Sequence, residues 1–150
     1  MPQLVKALIK SNCVFAEQAL MRVPVEQTYR LARRNALDSV SALSSAARRL
    51  LDEPGTDRRA LAALNELLSA NYLLASDLAS VRTALLARAD ELDARATDEV
   101  LSAARGIVLD TLADDRKARA ERPDHLRRRG LSEMPATAAL PFLRRRLLHI

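Results

Sequence analysis

The chain has one cysteine, no tryptophan, two phenylalanines, two tyrosines and three glycines in 150 residues. A single thiol excludes an internal disulfide framework. Three glycines supply little for a phosphate-cradling loop, and none of the spacings GxGxxG, GxxxxGK[ST] or GxSxG occurs. So few aromatic and glycine residues, beside an apolar set dominated by Ala and Leu, exclude an all-β domain. The longest uncharged runs, 67–76 and 134–143, are far shorter than the roughly 18 residues a spanning helix needs. A cleaved signal peptide is not expected either: Lys10, Ser11 and Asn12 interrupt the apolar run after Lys6, and Glu17 follows.

What remains is the vocabulary of helices, 49% hydrophobic and 29% charged, at a length suited to one domain. The net charge of +5 hides an uneven distribution. Residues 1–115 carry 14 basic and 16 acidic side chains, whereas 116–150 carry 10 basic and 3 acidic. Within the body, 54–115 is acidic and 1–53 mildly basic, so facing helices are able to pair these surfaces.

Apolar spacing predicts an all-α fold, an antiparallel helical bundle of four long helices plus a short C-terminal helix. Over 2–22, Leu4, Leu8, Phe15 and Ala19 recur at helical spacing, with Val5, Ile9 and Leu20 widening the stripe. Pro24 ends that helix and suits the first turn of the next, expected over 25–52. There Tyr29, Ala32, Ala36, Val40, Leu43, Ala47, Leu50 and Leu51 share one side. Pro54 and Gly55 mark a turn, with Thr56 as the expected cap of a third helix over 57–92. Positions 64, 67/68, 71, 74/75, 78, 81, 85, 89 and 92 make its apolar stripe, interrupted only by Asn71, and its polar stripe is narrow, so it is expected to be the central, most buried element. Thr97 followed by Asp98 and Glu99 predicts the start of a fourth helix that runs to about 121. The bundle is thus expected over 1–121, a loop over 122–137 with Pro123, Gly130 and Pro135, and a terminal helix over 138–150 packing on it, all in a single domain. An apolar pattern that stops on Leu147, Leu148 and Ile150 predicts that the natural chain continues.

Catalytic patterns are sparse. His125 and His149 have no carboxylate or cysteine at metal-ligand spacing, and no HExxH or CxxC occurs. Asp110, Asp114 and Asp115 lack the alternating oxygen ligands of a calcium loop and read as a solvated face. Cys13 reads as a small buried helix residue. No catalytic residue, cofactor or metal ligand is expected. Two positions carry open alternatives: Asn71 is either a buried amide that fixes register or an edge residue that reaches water, and Gly106 marks either a tolerant surface or a close helix approach.

The basic clusters are the remaining candidates. Arg127, Arg128 and Arg129, with Arg144, Arg145 and Arg146, suit contact with phosphate or an anionic lipid surface. Nucleic acid is disfavoured, because aromatics are not interleaved and no reader motif surrounds them. Arg30, Arg33 and Arg34 form a second basic face on the second helix.

The segment Tyr-Arg-Leu-Ala-Arg-Arg-Asn-Ala over 29–36, the Ser/Ala/Leu helix after it and Leu-Asp-Glu-Pro over 51–54 resemble one family. It is that of the fusaric-acid-resistance-type (FUSC-like) inner-membrane proteins, in the region just after the last transmembrane helix. The helix over 60–92, with Asn71-Tyr72 in its middle, is similar to the family's following helix, and 4–25 to its amphipathic lead-in. The likeness covers about 4–95, and its motifs are short and rich in Ala, Leu and Arg. It implies a non-catalytic C-terminal cytoplasmic domain that assembles or regulates an exporter of aromatic acids or related small molecules. Its implied place is the cytoplasmic side of the inner membrane; its implied partners are the transmembrane part of the parent and sister subunits in a homo-oligomer.

Under that resemblance Arg30, Arg33 and Arg34 meet lipid, the membrane part or an anionic substrate, or else pair with the acidic 57–115 surface. Leu4, Leu8, Phe15, Leu147, Leu148 and Ile150 are expected to form an apolar patch where the domain meets its parent. The alternative is a free-standing helical module that binds nucleic acid or an acidic partner through 116–150.

Overall fold

The computed structural model describes residues 1–52 and 57–113, and these form an all-α structure. Four helices follow in order: α1 (Pro2–Ala19), α2 (Glu26–Leu51), α3 (Arg58–Ala87) and α4 (Ala94–Ala113). The expected loop over 122–137 and terminal helix over 138–150 lie outside the described residues.

Three of the four starts have a local cause. Pro2 occupies the first turn of α1, where the missing N–H costs nothing. Asp57, not Thr56, caps α3: its carboxylate accepts from the Arg59 N–H at 2.9 Å. Asp93, not Thr97, caps α4, accepting from the Ala96 N–H at 2.7 Å. Asp93 lies about one turn upstream of Thr97, whose hydroxyl is able to do the same task, and a carboxylate gains additionally from the positive end of the helix. Thr97 is instead fully buried in the first turn of α4. The third helix closes at Ala87, five residues before the sequence-based boundary at 92, and 88–93 makes the turn into α4.

The core is held in two clusters. In one, Leu8 of α1 meets Val40, Leu43 and Ala47 of α2 and Leu64 and Leu68 of α3. In the other, Phe15, Ala16 and Ala19 of α1 pack with Tyr29, Ala32 and Ala36 of α2, Leu78, Val81 and Leu85 of α3, and Val100, Leu101, Ala104 and Val108 of α4. The first half of α1 therefore packs with the second half of α2, and the reverse. The central element is α1, which packs against each of the other three helices, and not α3 as the narrow polar stripe implied. The physical reason is that α3 is apolar on both sides but covered on only one. It leaves Tyr72, Leu73 and Leu86 more than half exposed.

The tight spacing in the core is made by alanines, five of them in α1 and α2 below 6% exposure, which let the helix axes approach. Gly106 does not contribute to such an approach. It is exposed in α4, and a Cβ built on it meets nothing within 4 Å. The tolerant-surface alternative is the one the structure supports. Gly106→Ala is accordingly expected to stabilise the protein by about 0.5–1 kcal/mol, because alanine loses less backbone entropy in a helix. A raised urea midpoint at unchanged slope checks this; a lowered midpoint means that the position is packed.

Candidate functional site

Of the sequence-predicted residues, Arg30, Arg33 and Arg34 are all exposed on α2. Among the described residues, the pairs that Arg30 and Arg34 make are not with the acidic surface over 57–113. Arg30 Nε instead bonds Glu26 Oε1 at 2.8 Å, and Arg34 Nε lies 3.7 Å from Asp38 Oδ2, both one turn away on the same helix. Neighbours at i,i+4 meet without any tertiary requirement, so the local pair forms first. Among the described residues, an ion pair between distant segments joins Arg22 of the α1–α2 connection to Asp98 of α4, at 3.2 Å between half-exposed side chains. At that exposure it contributes at most about 1 kcal/mol.

Arg33 belongs to a different setting. With Leu37 of α2 it lines a shallow groove whose other wall is α3, through Tyr72, Ala79, Thr83 and Arg88. Two guanidinium groups and no carboxylate line this groove. Leu73 and Leu86 of α3, 66% and 60% exposed, and Leu31 of α2, 58% exposed, lie outside the groove lining.

The apolar residues expected to form a patch lie elsewhere. Leu8 and Phe15 are at most 1% exposed, enclosed by the chain's own helices, and Leu4 is partly buried against the same core. Once α1 is placed at the centre, its stripe is consumed internally. Leu147, Leu148 and Ile150 lie outside the described residues, as do Arg127, Arg128, Arg129, Arg144, Arg145 and Arg146.

Two buried polar arrangements tie the helices together. Asn12 of α1 donates its side-chain amide to Asn71 Oδ1 of α3, and Asn71 Nδ2 donates to the Leu67 carbonyl at 2.6 Å. Both asparagines are more than nine-tenths buried, which decides the Asn71 alternatives in favour of the register-fixing amide. Its partner Asn12 was visible in the sequence only as a break in an apolar run; its spacing of four from Leu8 and three from Phe15 puts it on the core stripe.

Arg82 of α3, 7% exposed, is the other. Its Nη1 donates to the Arg22 carbonyl at 3.1 Å, and its guanidinium lies 5.8 Å from the centre of the Tyr29 ring. Tyr29 in turn tilts against Phe15 with ring centres 5.8 Å apart. Arg82 thus fastens the α1–α2 connection to α3, its aliphatic stem lying in apolar surroundings. Burial raises the Tyr29 hydroxyl pKa, while Arg33 and Arg82 act to lower it. Burial, with Glu17 beside it, also raises the Cys13 thiol, which favours the unreactive protonated form.

Among the described residues no group of three or more His, Cys, Asp and Glu is placed to hold a metal ion, and no helix is long and apolar enough to cross a membrane. The arrangement is suited to packing against another surface. Comparison with protein families, with curated proteins and with solved structures finds no match to the chain.

Proposed function

We propose that the chain is a non-catalytic helical module, an antiparallel bundle that serves the assembly or regulation of a FUSC-type inner-membrane efflux protein from its cytoplasmic side. The observation that carries this reading is the open groove between α2 and α3, where Leu37 and Tyr72 are left 39% and 53% exposed. Exposed apolar residues grouped in this way mark contact surfaces on proteins that act by association. The resemblance over about 4–95 supplies the parent, and Arg30, Arg33 and Arg34 of α2 suit an anionic leaflet.

The gene itself provides the test. Translation of the frame around this segment is expected to show several apolar stretches of about 20 residues upstream of Leu4. A frame that opens at Met1 removes the membrane parent. A second test uses the parent protein: replacing Arg30, Arg33 and Arg34 with alanine is expected to reduce parent-mediated resistance while leaving the melting temperature nearly unchanged, since exposed i,i+4 pairs contribute only about 0.3–0.5 kcal/mol each. Normal resistance in that variant removes this face from the function.

A further inference from the structure

We draw no further inference here: the strongest candidate, the outer surface of α3 that leaves Tyr72, Leu73 and Leu86 exposed, is an unpartnered apolar surface, and nothing in the structure shows what covers it.

Discussion

Phe15→Ala is expected to lower the free energy of unfolding by about 3–5 kcal/mol, the largest effect of any single truncation among the described residues. Phe15 is 1% exposed and, among the described residues, the largest fully buried side chain. It sits on α1 in the cluster where all four helices meet, so its removal leaves a cavity that no single helix closes by shifting. The collapse of that cavity is resisted by Leu78, Val81 and Leu101, each at most 1% exposed and already packed. The Tyr29 ring also loses its aromatic neighbour, an interaction of about 0.5–1.5 kcal/mol beyond the area buried. Set against a total stability of about 5–15 kcal/mol for an ordinary domain, the variant sits near the limit of folding at room temperature. Urea denaturation followed by helical circular dichroism measures the change. Val14→Ala, one residue away and 40% exposed, provides the control and is expected to cost far less. Equal effects at 14 and 15 contradict the placement of α1.

The contrast between α2 and α3 shows what the sequence was able to reveal. On α2 the spacing puts positions 29, 32, 36, 40, 43 and 47 on one side, and each of those six is buried. Polar residues on the opposite face left a single way to orient the helix. Leu51, placed on the same side, is 61% exposed because it lies at the helix end, beyond the facing core. On α3 the apolar stripe through 64, 67/68, 71, 74/75, 78, 81 and 85 is also the covered side, with Leu64, Leu68, Asn71, Leu78, Val81 and Leu85 buried. Leu73 and Leu86, off that stripe, are chemically equivalent to its leucines and exposed. Periodicity finds the covered side, and only the arrangement of the other helices decides how far the cover reaches around it. The same limit placed α3 at the centre, a position that α1 occupies despite being shorter by twelve residues.

Local electrostatics were harder to read than packing. The Arg30 and Arg34 pairs are fixed by i,i+4 neighbours on α2 rather than by the acidic segment that composition drew attention to. Asp57 and Asp93 cap helices beside threonines of the same general type, and a choice between adjacent candidates turns on the path of the incoming chain. Arg82 carried no sequence signal, since an arginine between Val81 and Leu85 reads as a solvated charge until the Arg22 carbonyl and the Tyr29 ring are in place around it. On the candidate site the sequence located Arg33 but not the groove it lines, because the groove is a property of two helices together.

Asn12 and Asn71 permit the most informative test of how the helices are held in register. Replacing either one with leucine is expected to cost about 1–3 kcal/mol, because the remaining amide stays buried with its bonding capacity unmet. Asn12→Leu strands the Oδ1 of Asn71, and Asn71→Leu strands the side-chain amide of Asn12 and also removes the bond to the Leu67 carbonyl. The second change is therefore expected to be the more costly. The double variant removes both polar groups and fills the site with apolar volume, so its stability returns toward that of the unaltered protein. The cycle is then strongly non-additive, with a coupling of about 1 kcal/mol or more, measurable from four urea curves. Additive costs mean that the two amides do not interact. A double variant that is stable but shows loosened packing, through faster amide exchange in α1 and α3, assigns the pair its physical role. An amide pair resists sliding by one turn, since either asparagine displaced by four residues faces leucine or alanine in place of its partner, whereas two leucines accept several registers at nearly equal energy.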